Sequence, residues 1–183
     1  GWYYVNRNIT IDGRVSLQGD IQIILGDGYT LDVKGLYIPK GKTLTIYGQT
    51  EGTGKINSHP SGGSAIGAYG DGHKGGNIVI HGGTITATTT GSAIYDAAEA
   101  DISSNAAAKC DGAFTMTGGT LNLSSSGAGG KAINSMGVVT INGGTLTAVT
   151  TGSTFVYGAD DSKPQSIKCD TDIILAGGFI LSC

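Results

Sequence analysis

Short runs of alternating apolar and polar residues recur along the chain in one layout. VVTINGGTLTA at 138–148 shows the unit: Val139 and Ile141 are apolar, Thr140 and Asn142 polar. Period-2 alternation puts each set on one face of a strand. Two glycines follow, then a second run in which Leu146 and Ala148 form the apolar set. NIVIHGGTITA (77–87), AFTMTGGTLNL (113–123) and DIILAGGFILS (172–182) repeat it. Ile141 and Leu146 stand an odd number of residues apart, so plain alternation would put them on opposite faces. Gly143 and Gly144 must therefore turn a corner, which glycine does by reaching positive φ at little cost.

Strands joined by corners, with matching residues stacked from one copy to the next, describe a parallel β-solenoid. The inward ladders read Ile80–Met116–Ile141–Leu175 and Ile85–Leu121–Leu146–Ile180. NAAAKCDG (105–112), GKAINSMG (130–137) and PQSIKCDT (164–171) precede their strands in one register. Extending the first ladder upstream through Ile46 to Leu25 gives an all-β solenoid of about six coils. Ile38 stands to Ile46 as Ile133 stands to Ile141. Residues 1–183 form a single domain on this reading. Within it, 1–8 are an N-terminal cap led by Trp2-Tyr3-Tyr4, 9–104 are looser coils with loop insertions, and 105–183 are regular coils with double-glycine corners.

Coil corners tolerate insertions because loops leave the stack. Three long segments are placed at one such corner: 59–76, 95–105 and 154–165. They should cluster as a rim along one edge. In the last coil the outward positions hold Ile174, Ala176, Phe179 and Leu181, where earlier coils hold threonine and asparagine. An apolar outer set on a terminal coil calls for a cover, either self-association or a neighbouring domain.

Composition narrows the function classes. Glycine supplies 33 of 183 residues, without the every-third spacing of collagen. The net charge of −3 leaves no basic footprint for nucleic acid. No apolar run approaches the length of a membrane span. The chain opens at Gly1-Trp2 without a leader, as a mature or trimmed chain would. Few charges and threonine-rich strands suit an extracellular bacterial protein. Of the three cysteines, Cys110 and Cys169 share one repeat position with Ser135 in the coil between. That spacing puts them roughly 10 Å apart at about 4.8 Å per coil, too far for a disulfide. Cys183 faces a different wall, so all three are expected to be free thiols.

AAAKCDGAFTMTGGTLNLSSSGAGGKAIN and the run from VVTINGGTLTAVTTGSTFVYGADDSKPQ to SIKCDTDIIL resemble a family of β-helical carbohydrate-binding domains. That family is related in shape to polysaccharide lyases and occurs in bacterial surface proteins. The likeness covers 105–182 well and the first half loosely. Where members often carry Gly-Ile-Lys-Ala-Asp, this chain has Ser166-Ile167-Lys168-Cys169-Asp170. The resemblance implies a single-stranded right-handed parallel β-helix, a secreted or cell-surface location, a polysaccharide ligand and calcium. Right-handedness also agrees with the general bias of parallel crossovers.

The rim carries the chemistry that such a ligand would need. Tyr69, Tyr95 and Tyr157 offer apolar bodies with polar tips to sugar rings. Lys163 and Lys168 could meet uronate carboxylates, with Asp170 beside them, or merely pair with neighbouring aspartates. Asp96, Asp160 and Asp161 are the calcium candidates, since calcium takes six to eight oxygen ligands. Solvated turn aspartates are the plainer alternative, because no DxDxDG signature is present. The histidines show no triad or metal spacing. A lyase needs an unprotonated lysine, and the acidic neighbour of Lys168 favours its ammonium form. A hydrolase needs two facing carboxylates, which spacing does not reveal. The expectation is a non-catalytic module that binds a linear polysaccharide, neutral or acidic, along the loop-lined edge. The alternatives are an adhesive or structural solenoid for protein partners, and third a lyase or glycoside hydrolase.

Overall fold

The computed structural model describes residues 1–68, 74–97 and 99–182. Period-2 segments form strands throughout, and no helix occurs among the described residues. None of the chain described is therefore a helix long and apolar enough to cross a membrane. The strands assemble into three parallel sheets with a β-solenoid-like arrangement, which the chain visits in turn. The first sheet runs Trp2–Val5, Ile21–Leu25, Thr43–Gly48, Asn77–Ile80, Phe114–Met116, Val139–Ile141 and Ile173–Leu175. In the second are Ile9–Ile11, Thr30–Val33, Lys55–Ser58, Thr84–Thr89, Thr120–Ser125, Thr145–Thr150 and Phe179–Ser182. The third holds Val15–Ser16, Leu36–Tyr37, Ile66–Gly67, Ala106–Cys110, Lys131–Ser135 and Gln165–Cys169.

Both inward ladders hold residue for residue. Ile80 pairs with Met116, Met116 with Ile141 and Ile141 with Leu175. Ile85, Leu121, Leu146 and Ile180 follow in the same way. Up to the coil before the last, alternate residues of these strands are almost wholly buried and form one continuous core, whereas Leu175 at the end of the stack is exposed and Ile180 partly buried. Stacking identical positions lets every inward branch rest on the one below, so burial repeats at each coil.

Upstream the register departs from the sequence reading. Ile46 pairs with Ile23, and Leu25 pairs with Gly48. Ile133 belongs to a ladder through Ala108 and Ile66 to Leu36, not Ile38. Each slip is two residues, which keeps the buried face and so leaves no trace in the alternation. The first sheet has seven strands, one more than the six-residue ladder implies. The extra strand is Trp2–Val5, which pairs with residues 22–25. This stretch, expected as a cap, is thus the outermost strand, and Val5 reaches the core while Trp2, Tyr3 and Tyr4 stay exposed.

The three insertions also separate. Residues 59–76 span two corners, because Ile66–Gly67 between them is a strand of the third sheet. Residues 95–105 and 154–165 each fold largely as an antiparallel hairpin. The first pairs Ile94–Asp96 with Asp101–Ser103, and the second pairs Phe155–Tyr157 with Asp160–Ser162. Tyr69, His73 and Cys183 lie outside the described residues. Cys110 and Cys169 are free thiols, two strands apart across Ser135.

The double glycines are corners for two reasons. Their second members adopt positive φ, as at Gly144 with 85°. A Cβ on Gly144 would also stand 2.5 Å from the carbonyl oxygen of Gly119 in the neighbouring coil. Gly158, at the tip of the second hairpin, has φ 62° but open space around it. Gly158→Ala should therefore cost about 1 kcal/mol, from backbone conformation alone. Gly144→Ala should cost at least about 2 kcal/mol more, because coil stacking must shift as well. Denaturant midpoints of the two variants measure the difference.

Candidate functional site

The two hairpins leave the stack at the same corner, between the second and third sheets, on alternate coils. The coil between them turns this corner in the short run Ser126–Gly130. They meet above it. Tyr95 and Tyr157 stack with ring centroids 4.0 Å apart and planes at 10°. A Cβ on Gly129 would lie within 3 Å of both Ala93 and Phe155, so only glycine lets the hairpins approach this closely. Ser104 Oγ and Ser162 Oγ are 2.8 Å apart at the hairpin bases.

Hairpins and third sheet together enclose a groove of about 530 Å³. Its floor carries Lys109, Lys131, Asn134 and Lys168 from three successive strands of that sheet. Lys109, Asn134 and Lys168 occupy one register position. Asp96, Glu99 and Asp101 line it from the first hairpin, and Asp161, Ser162 and Lys163 from the second. Asp111, Asp170 and Lys74 line it as well.

Most of the cations here are already engaged. Lys168 Nζ lies 2.7 Å from Asp170 Oδ1, and Lys74 Nζ lies 3.0 Å from Glu99 Oε1. The bond to Glu99 raises the Lys74 pKa above its ordinary value, with Asp111 and Asp96 adding to it. Lys109 Nζ donates to Ser103 Oγ at 2.8 Å. Lys131 Nζ, almost fully buried, donates to Gly129 O and Ser162 Oγ at 2.9 Å each, and to Lys163 O. Burial, with Lys168 nearby, pushes its pKa down to about 8. Lys163 differs: its ammonium has no hydrogen bond or ion pair to the described residues.

The sequence candidates are thus gathered only in part. Lys163, Lys168, Asp170, Asp96 and Asp161 share the groove. Asp160 is exposed on the second hairpin, opposite Tyr157, and does not line it. Tyr95 and Tyr157 do not line it either, and each covers one face of the other ring. Their contact joins the hairpins, and Tyr157 stays 51% exposed. Asp96 is buried and accepts the Glu99 N–H at 3.3 Å. Among the described residues, no three His, Cys, Asp or Glu side chains converge to hold a metal ion.

Lys131 and Ser162 are the residues that sequence reasoning passed over. The available signal was a lysine at a register position that holds Ala106 in the coil before. A second aromatic group lies on the outer face of the first sheet. Trp2 stacks on Tyr47 at 5.6 Å, and Tyr47 on His81 at 4.9 Å. These rings lie face to face, so they cover one another rather than form a flat platform. His81 Nδ1 is 2.7 Å from Thr117 Oγ1, which continues the row along the stack.

A family profile described as carbohydrate-binding domain-containing protein matches residues 43–181. Comparison with curated proteins and with solved structures returned no match.

Cys110 borders the groove floor but is buried, and desolvation pushes its thiol up to about 12. Cys169 is only half buried. At pH 8, iodoacetamide should modify Cys110 at least about a hundredfold more slowly than Cys169. Peptide mass spectrometry of the native protein reads the ratio, which should collapse on unfolding.

Proposed function

The chain belongs to the family of carbohydrate-binding domain-containing proteins, and from that membership we propose that it binds a linear polysaccharide in the groove, without transforming it. The observation that carries this reading is the groove itself, a polar channel crossing three successive strands of the third sheet. A repeating polymer laid along the stack would meet similar side chains at each coil. Lys168, Asn134 and Lys109 would face it from below, and Asp161 and Lys163 from the side. Sugar hydroxyls both donate and accept, which suits a wall of mixed lysines and carboxylates.

An acidic sugar would find its cation in Lys163, whose ammonium is uncommitted. We read the three sheets as one right-handed parallel β-helix on a secreted or surface-attached bacterial protein. Calcium is the cofactor that the resemblance implies, and it enters the proposal as an added component of the assay rather than as part of the groove.

The module is non-catalytic in this proposal. Lys74 and Lys168 are ion-paired to Glu99 and Asp170, and Lys109 and Lys131 donate hydrogen bonds to neighbouring oxygens. Isothermal titration and polymer pull-down should detect binding to neutral or pectic polysaccharide, with no unsaturated product or new reducing ends. Lys163→Ala should weaken an acidic polymer about tenfold and a neutral one little. An absence of binding to every polymer, with calcium and with chelator, would defeat the proposal.

A second reading, an adhesive solenoid for protein partners, draws on the last coil. Ile174, Phe179 and Leu181 are 47%, 64% and 50% exposed, and they occupy the outer positions held by Thr140, Thr145 and Thr147 in the coil before. Such a patch favours self-association or a neighbouring domain. Light scattering of the wild type and of Phe179→Asp tests it. A concentration-independent monomer in both cases would count against self-association.

A further inference from the structure

We propose that Lys131 is the positioning residue of the groove: its side-chain nitrogen pins the second hairpin to the coil stack and so sets the wall against which the saccharide lies. This rests on the reading of the groove as the saccharide site. The pin itself follows from geometry.

Lys131 is 1% exposed, which is rare for a lysine without a carboxylate partner. Its three N–H donors are matched by three acceptors: Gly129 O, Ser162 Oγ and Lys163 O. Gly129 belongs to the corner just before its own strand. Ser162 and Lys163 belong to the end of the second hairpin. Ser162 Oγ in turn approaches Ser104 Oγ, and Ser104 O accepts from Asn134 Nδ2 at 3.3 Å. One nitrogen thereby ties the second hairpin to the stack and, through Ser162, to the base of the first. The neighbouring coils have Ala106 and Gln165 at this register position. Ala106 has no donor to offer, so the stack itself does not require one.

The surroundings explain how the pin responds to pH. The charged groups that line the groove with it are Lys168 and Lys109 on the adjoining strands, Lys163 and Asp161 on the second hairpin, Asp96, Glu99 and Asp101 on the first, and Lys74, Asp111 and Asp170 beyond them; of these, Lys168 acts on it. Burial, with the charge of Lys168 adding to it, leaves the group at about 8, against an ordinary value of 10.5. With the hairpin lifted, the ammonium is solvated and returns to its ordinary value. The closed wall therefore binds the proton more weakly than the open one. Raising the pH from about 8 towards the ordinary value favours closure; below about 8 the closed wall carries a buried charge. A neutral amine keeps two N–H groups for the two carbonyls and offers its lone pair to the Ser162 hydroxyl. The pin survives loss of the proton.

Hydrogen exchange of the full chain at pH 7 tests the pin, comparing wild type with Lys131→Met and with Ser162→Ala. Exchange in 155–162 should rise about tenfold or more in Lys131→Met and less in Ser162→Ala, with 114–116 unchanged. A polymer that binds the wild type should bind Lys131→Met about tenfold more weakly. Wild-type affinity should tighten between pH 7 and 9.5, whereas that of Lys131→Met should follow no such rise. Unchanged hairpin exchange in both variants overturns the proposal, as does loss of protection across the whole stack in both. A loosened hairpin with unaltered affinity and an unaltered pH profile overturns it too. If the wild type binds no polymer at any pH, the saccharide reading fails, and hairpin exchange alone decides whether Lys131 is the pin.

Discussion

Parallel backbone pairing between successive coils is the constraint on which everything else depends. Each strand must present its N–H and C=O groups in step with the strand below, over three sheets at once. That requirement fixes which residues stack, and stacking fixes which must be apolar. It also fixes the corners. Gly119, Gly144 and Gly178 repeat the same positive φ because each corner rests on the carbonyl of the one before it. Room for variation remains where the chain leaves the stack.

The groove is a product of that freedom. Two coils extend the same corner into hairpins and the coil between does not, so the hairpins can close over a short turn. Gly129 permits the approach, the Tyr95–Tyr157 pair joins the hairpins, and Lys131 fastens the base. A buried lysine is costly unless it is fully bonded. Here the acceptors come from the elements that must be held together, so the burial and the positioning have one cause. The ion pairs of the groove, Lys74–Glu99 and Lys168–Asp170, are partly solvated and contribute little to stability. Their effect is to commit charge locally, whereas the Lys163 ammonium has no hydrogen bond or ion pair to the described residues.

The fold was legible wherever local pattern and stacking agree. Ile80, Met116, Ile141 and Leu175 could be aligned because the double glycine gives the repeat an origin. Leu25 and Ile38 were misaligned because the early coils lack that marker, and a two-residue slip keeps the same face buried. Trp2–Val5 has no repeat neighbour upstream, so its strand character was hidden behind its aromatic content. The site was less legible. Asp96, Asp161 and Lys163 could be placed together because two of the insertions share a corner, and Lys168 and Asp170 follow the second of them in the repeat. The facing of Tyr95 towards Tyr157, and the lysine bonded at Lys131, depend on side-chain directions between hairpins. No periodicity encodes those.

Amide chemical-shift mapping of an oligosaccharide from a bound polymer tests the central claim most directly. Saccharide binding in the groove predicts shifts concentrated at Asn134, at Asp161–Lys163 and at Lys168. Shifts confined to the aromatic row of Trp2, Tyr47 and His81, with the groove silent, would contradict it.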